Sequence, residues 1–129
     1  MGFAVHGEVG RKRSGGEQPL GVDRLIEEME RCLAAGADRV IFESDAFEAA
    51  FTDDAGVDRG LAATIDAIVD AVDADRVIFE VPLTGETAVV EAAAWLITTV
   101  GADVNLGNVN PHYINVVEQM RRGLGPRVD

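Results

Sequence analysis

Ala37-Asp38-Arg39-Val40-Ile41-Phe42-Glu43 recurs, residue for residue, as Ala74-Asp75-Arg76-Val77-Ile78-Phe79-Glu80. The two copies begin 37 residues apart, which is about the length of one strand–helix unit in an α/β barrel. Each copy is a short apolar run between an Ala-Asp turn and a glutamate, a pattern typical of a buried parallel strand. Because the loops at the carboxyl ends of parallel strands form the sites of α/β proteins, the repeat predicts both a fold and a place for the site.

The flanking sequence extends this pattern into four strand–helix units. It predicts strands at 3–9, 39–44, 76–81 and 103–106, and helices at 22–35, 60–72 and 86–100, with a last helix after Asn110. This alternation indicates an α/β fold with parallel strands, equal to four βα units of a TIM-type (β/α)8 barrel, in one domain over 1–129. A half-barrel leaves two sheet edges to be covered. We therefore expect a homo-oligomer, or a complex with a missing N-terminal half.

The composition excludes several partners. The formal net charge is −12, and Lys12 is the only lysine; nucleic acid or an anionic membrane would require a basic patch. Acidic, lysine-poor composition favours a high-salt cytoplasm of the halophilic, archaeal kind, where salt screens the carboxylates, with an ordinary acidic protein as the alternative. Cys32 is the only cysteine, and we expect it to pack in the core of a cytoplasmic protein.

Polar side chains end all four predicted strands. Glu8, Glu43 and Glu80 end the first three strands, and Asn105 ends the fourth. In similar register these side chains would meet at one edge of the sheet, where carboxylate and amide oxygens suit Mg²⁺. The alternative is that Glu43 and Glu80 cap neighbouring helices or pair with arginines.

Three further features are candidates for the site, and the first two have two interpretations each. Lys12, four residues after Glu8, is a candidate proton donor or phosphate ligand, or else a solvated loop residue. His6 would be a polar ligand facing the barrel interior or, as we expect, a hydrogen-bonded core residue. The loop from Gly107 to Pro111 leads into a helix N-terminus, whose free N–H groups favour phosphate.

The arginines have more ordinary expected roles. Arg39 and Arg76 lie at the opposite ends of their strands from the glutamates, where we expect them to pair with acids. Arg121 and Arg122 lie near the end of the last helix, where they would complement its dipole.

Taken together, these segments resemble the phosphosulfolactate synthase family of coenzyme M biosynthesis, along nearly the whole chain but only on the C-terminal half of the family's barrel. The resemblance rests on the following segments: Glu8-Val9-Gly10-Arg11-Lys12, Ala35 to Asp38 with the strand to Glu43, Ile78-Phe79-Glu80 with Pro82, Val104-Asn105-Leu106-Gly107-Asn108, and Arg121-Arg122-Gly123-Leu124.

The resemblance implies a lyase that joins sulfite to phosphoenolpyruvate with Mg²⁺. The residues it implies are Lys12 and Glu8 as catalytic groups, Glu43 and Glu80 at the metal, and four substrate contacts: Arg11, Asn105, Gly107 and Asn108. No base lies between Val40 and Asp58, where the family carries basic residues. Two alternatives therefore remain: a non-catalytic half-barrel that serves as a binding or partner module, and an enzyme acting on a different phosphorylated acid.

Overall fold

The computed structural model describes residues 2–10, 21–43, 59–82 and 86–124. Its strands are β1 (His6–Val9), β2 (Arg39–Phe42), β3 (Val77–Glu80) and β4 (Asn105–Gly107). Its α-helices are α1 (Val22–Ala34), α2 (Arg59–Ala71), α3 (Glu86–Thr99) and α4 (Ile114–Arg121), and two 3₁₀ turns span Ala74–Arg76 and Pro111–Tyr113.

The four strands form one parallel sheet in chain order, β1-β2-β3-β4. The two copies of the repeated heptapeptide lie side by side in matching register, with Val40 opposite Val77 and Phe42 opposite Phe79. This arrangement confirms the predicted α/β class and the parallel pairing of the two copies.

The helices cover one face of the sheet. Because side chains alternate along a strand, Val9, Val40, Phe42, Val77 and Phe79 share one face, and all are buried. They form a single core with apolar residues of all four helices, among them Met29, Ile65, Leu96 and Val117. On the opposite face the side chains are exposed or half-buried. We call this second surface the open face.

Helix α1 shows how the sequence sets the boundaries of one unit. Leu25 and Met29 are buried on one side of the helix, while Arg24–Glu28 forms an ion pair on the solvent side. Gly36 ends the helix with a φ of 105°, and the N–H of Ala37 donates to the carbonyl of Cys32, the pairing of a glycine-terminated helix.

Cys32 has the packing role that the sequence predicts. It is half-buried against the core, and a Cβ built on Gly7 would lie 3.0 Å from its Sγ. Gly7 therefore allows α1 to approach β1 closely. No helix in the described ranges is long and apolar enough to cross a membrane.

All four strands differ from their predicted bounds, and β2 ends at Phe42 rather than at residue 44. β1 begins at His6 rather than Phe3, where its pairing with Arg39 of β2 begins. β3 begins at Val77 because Asp73 caps a 3₁₀ turn before it. β4 spans Asn105–Gly107, so Asn105 begins that strand rather than ending it.

The expectation that Arg39 and Arg76 pair with acids is wrong. Arg39 Nε donates to the carbonyl of Asp75 (3.1 Å). Arg76 donates from Nε to the carbonyl of Asp38 (2.6 Å) and from an Nη to that of Ala37 (2.9 Å). Each arginine of the repeat thus binds backbone in the turn of the other copy. Carbonyls of turns lack ladder partners, and these guanidinium groups satisfy them.

The expectation of a core histidine is also wrong. His6 is exposed, because its register partner is Arg39 and both side chains belong to the open face. Arg121 donates to the carbonyl of Ala102 and pairs with Glu118 at 3.3 Å, so it joins the end of α4 to the turn before β4.

Candidate active site

Glu43 and Glu80 are neighbours at the carboxyl end of the sheet. Phe42 pairs with Phe79, and the N–H of Glu43 donates to the carbonyl of Val9, so β2 stays beside β1 for one more residue. The next residues, Glu43 and Glu80, therefore lie side by side on the open face, with Cα atoms about 4.8 Å apart. Both are half-buried.

Glycines flank this pair on both outer strands. Continuing the register puts Gly10 beside Glu43, and Gly107 is the partner of Glu80. The sequence across the sheet at this level is thus Gly10, Glu43, Glu80, Gly107, which we call the Gly-Glu-Glu-Gly row.

Both glycines lie in close contact with the neighbouring inner strand. Gly10 has a φ of 126°, and a Cβ there would lie 2.6 Å from the carbonyl oxygen of Glu43. A Cβ on Gly107 would lie 3.3 Å from Cγ of Glu80. The missing side chain of Gly10 thus makes room for the Glu43 carbonyl, and that of Gly107 makes room for the Glu80 side chain.

Glu8 and Asn105 share the open face but lie one level lower. Glu8 pairs with Ile41, and Asn105 pairs with Ile78. Two residues along a strand separate this level from the Gly-Glu-Glu-Gly row, about 6.6 Å. The predicted polar groups thus share one face of the sheet, but they occupy two levels rather than one.

The Asn105 side chain is engaged within the sheet. Its Nδ2 donates to the carbonyls of Asp75 (3.1 Å) and Val77 (3.2 Å), towards the amino-terminal edge. Asn105 therefore joins Arg39 in binding the carbonyl of Asp75. Its predicted contact with substrate remains a prediction.

The loop after β4 has a special backbone geometry at Asn108. Asn108 has a φ of 59°, a left-handed conformation that asparagine adopts more readily than most residues. It is exposed and directly follows Gly107, the last residue of the Gly-Glu-Glu-Gly row. The predicted substrate contacts Gly107 and Asn108 therefore lie beside the glutamate pair.

The N–H groups at the following helix N-terminus have acceptors within the chain, and the phosphate expected there remains a prediction. Asn110 caps that helix: its Oδ1 accepts from the N–H of His112 at 3.1 Å, and its carbonyl accepts from Tyr113 at 2.9 Å. Pro111 has no N–H, and the N–H of Ile114 donates to the carbonyl of Pro111. The capping asparagine and proline that mark this helix in the sequence thus already satisfy the N–H groups.

The basic candidates Arg11 and Lys12 lie outside the described residues, and so does most of the base-free stretch between Val40 and Asp58. Within the described part of the chain, no group of three or more His, Cys, Asp or Glu side chains is arranged to hold a metal ion. Glu43 and Glu80 occupy neighbouring positions of the Gly-Glu-Glu-Gly row, and Mg²⁺ takes one or two protein carboxylates and keeps several waters.

The alignment of Gly10 and Gly107 with the two glutamates, which forms the Gly-Glu-Glu-Gly row, was not predicted, although the sequence contains a signal for it. The signal is that Gly10 and Gly107 occupy, on the outer strands, the level at which the inner strands carry glutamate. Recognising this signal requires the pairing register of the strands. The predicted bounds of β4 were too early by one to two residues, so they gave the wrong register. The crossed arginine contacts carry no such signal, since their acceptors are backbone atoms.

Gly10→Ala is expected to displace Glu43 and to destabilise the chain. The new Cβ would meet the Glu43 carbonyl at 2.6 Å on a backbone with φ 126°; strain and overpacking together cost roughly 2–4 kcal/mol. Urea unfolding measures this loss. Gly21→Ala is the matched control, because a Cβ there meets nothing within 4 Å. Equal stability of the two variants would contradict the close approach of Gly10 to Glu43.

Comparison with known proteins identifies a family. Residues 1–126 match the family model for (2R)-phospho-3-sulfolactate synthase (ComA). The chain is 31% identical to the phosphosulfolactate synthase of Methanothermobacter thermautotrophicus over 125 residues, which is 95% of this chain and 45% of that protein. It is 32% identical to the phosphosulfolactate synthase of Methanocaldococcus jannaschii over 126 residues, 95% of this chain and 47% of that protein.

The chain thus spans about half the length of these curated relatives. The four parallel strands in chain order correspond to part of the family's TIM barrel. The match extends over nearly all of the sequence, including every strand and helix described above. The chain therefore belongs to the (2R)-phospho-3-sulfolactate synthase family.

Proposed function

We propose that this chain is a phosphosulfolactate synthase-like lyase that adds sulfite to phosphoenolpyruvate to give phosphosulfolactate. The observation that carries the proposal is the Gly-Glu-Glu-Gly row, which lies at the carboxyl end of the sheet in a chain of this family. Sites of α/β barrels lie at that end. The proposal includes Mg²⁺ as cofactor and a cytoplasmic location.

Glu43 and Glu80 are the proposed metal ligands. Adjacent like charges on neighbouring strands repel each other, and a shared cation removes that cost. When bound there, Mg²⁺ supplies positive charge to the substrate carboxylate, where electron density accumulates during the addition. Gly107, the last residue of the same row, and Asn108 after it are assigned to oxygens of the substrate, through backbone or amide groups.

The reaction forms one bond to sulfur and one to hydrogen. The sulfur lone pair of sulfite attacks the methylene carbon, the double-bond electrons move towards the carbon that bears the phosphate, and that carbon takes a proton. We assign the proton to Lys12. Glu8, four residues earlier and on the open face, contributes a negative charge that favours a protonated amine nearby. Arg11 is assigned to the substrate's anionic groups.

A second candidate function is a non-catalytic binding module of the same fold. The observation that favours it is the lack of Lys and Arg between Val40 and Asp58. A doubly anionic substrate normally requires several cations at its site. Such a module would bind the substrate or a partner protein without turnover.

The test is to incubate the chain with phosphoenolpyruvate, sulfite and Mg²⁺ and to follow the phosphate ester by ³¹P NMR. We expect a new resonance that requires all three components. Intact phosphoenolpyruvate in the presence of folded chain would contradict the lyase. Binding of phosphoenolpyruvate without turnover would favour the module instead.

A further inference from the structure

Gly107 is a strand glycine whose backbone conformation is open to other residues. It ends β4, and its φ lies outside the left-handed range, whereas Gly10 has a φ of 126°. A glycine in a strand weakens the strand, and it often marks a position that another group approaches closely. The reason for a glycine here therefore lies in the space beside it.

Two side chains of β3 occupy that space. A Cβ on Gly107 would lie 3.2 Å from Cγ2 of Ile78 and 3.3 Å from Cγ of Glu80, closer than the roughly 3.5–4.0 Å of ordinary carbon contacts. Neighbouring strands lie about 4.8 Å apart, so a Glu80 Cγ at this position leans towards β4. Because β2 and β4 lie on opposite sides of β3, the lean carries this carbon away from Glu43.

The backbone around Gly107 is held in place, so a side chain would have to give way. Glu80 pairs with Gly107, and the N–H of Val81 donates to the Gly107 carbonyl at 3.1 Å. Separating the strands to admit a Cβ would weaken this pairing. Ile78 is β-branched and therefore stiff at χ1, whereas Cγ of a glutamate moves between staggered rotamers. The residue that a Cβ on Gly107 would displace is therefore Glu80.

We propose that Gly107 is a positioning residue for Glu80. The missing side chain on β4 lets Glu80 lean away from Glu43 and so sets the separation of the two carboxylates. Like charges at neighbouring positions repel each other, and their separation leaves space for a cation that keeps several of its waters. The geometric part of this inference stands alone, and its consequence for Mg²⁺ rests on the proposed function.

The side-chain carboxyl ¹³C resonance of Glu80 in the metal-free chain tests the geometry; its absence in Glu80→Gln assigns it. In Gly107→Ala this resonance should shift. Adding Ile78→Ala removes the contact on the other side of the new Cβ, which can then move away from Glu80. The resonance of the double variant should therefore match that of Ile78→Ala alone.

Gly7→Ala is the matched control, since it strains a strand glycine on the other face of the sheet. A Cβ there would lie 3.0 Å from both Cβ and Sγ of Cys32, far from the open face. The Glu80 resonance should keep its wild-type position in this variant. An unshifted Glu80 resonance in Gly107→Ala overturns the inference, and so does a double variant that differs from Ile78→Ala as much as Gly107→Ala differs from the wild type.

Isothermal titration with Mg²⁺, without substrate, tests the consequence. Gly107→Ala should raise the dissociation constant at least about tenfold, while Gly7→Ala keeps the wild-type value. The double variant should bind within about threefold of Ile78→Ala alone, because the two changes are coupled. A general loss of stability predicts the reverse, since Ile78→Ala removes further apolar contacts and would weaken the double variant more.

The two measurements separate this inference from the proposed function. A wild-type chain that binds no Mg²⁺ overturns the proposed metal site, and the carboxyl resonances then decide the positioning by themselves. A wild-type chain that binds Mg²⁺ no more tightly than Gly107→Ala overturns the positioning role and leaves the metal site standing.

Discussion

Phe79→Ala is expected to lower the free energy of unfolding by about 3–5 kcal/mol. Phe79 has no solvent exposure, and its ring meets that of Phe42 edge to face, with centroids 6.2 Å apart and an interplanar angle of 79°. Truncation leaves a cavity in the one core shared by the sheet and the helices. A small domain is stable by only about 5–15 kcal/mol, so the loss is a large fraction of the total.

Ile78→Ala is the matched control for this prediction. Ile78 is the adjacent residue of the same strand, but it lies on the open face and is half-buried. At concentrations where the chain is monomeric, its loss should be at most about 1–2 kcal/mol. Urea unfolding of both variants measures the difference. Equal losses would contradict a core that lies on one face of the sheet.

Glu80→Gln is expected to abolish the heat of Mg²⁺ binding and to reduce turnover at least about 100-fold. Glutamine keeps the shape of the side chain beside Gly107 and removes only the charge, so the fold should be retained. Isothermal titration calorimetry and the phosphoenolpyruvate assay measure the two effects. Glu91→Gln, at an exposed position on α3, controls for the loss of one carboxylate. A wild-type heat in Glu80→Gln would rule out the shared metal site.

The order and pairing of the strands could be predicted because the repeated heptapeptide marks two successive strands of the same kind. A sequence of seven residues that occurs twice forms two equivalent strands, and these pair in register. Helix ends were also readable, since Gly36 and Asn110 act through backbone geometry and local capping. The helix-end signals are local, because both partners of each capping interaction lie within a few residues of each other along the chain.

Hydrogen bonds from side chains to the backbone of distant segments could not be predicted. Arg39 and Arg76 bind carbonyls of turns more than 30 residues away, and a carbonyl has no residue identity to read. His6 was expected to be a hydrogen-bonded core residue, but the register with Arg39 puts it on the open face. The levels of Glu8 and Asn105 likewise depend on the pairing register of the strands. An error of one or two residues in a predicted strand boundary changes that register.

The central claim is that Glu43 and Glu80 form a metal site on the open face. The most direct measurement is anomalous X-ray scattering from crystals of the chain grown with Mn²⁺, an oxygen-binding substitute for Mg²⁺. We expect one Mn²⁺ peak bound by carboxylate oxygens of both glutamates, next to Gly107. A Mn²⁺ peak elsewhere, or no peak at the Gly-Glu-Glu-Gly row, would contradict this account.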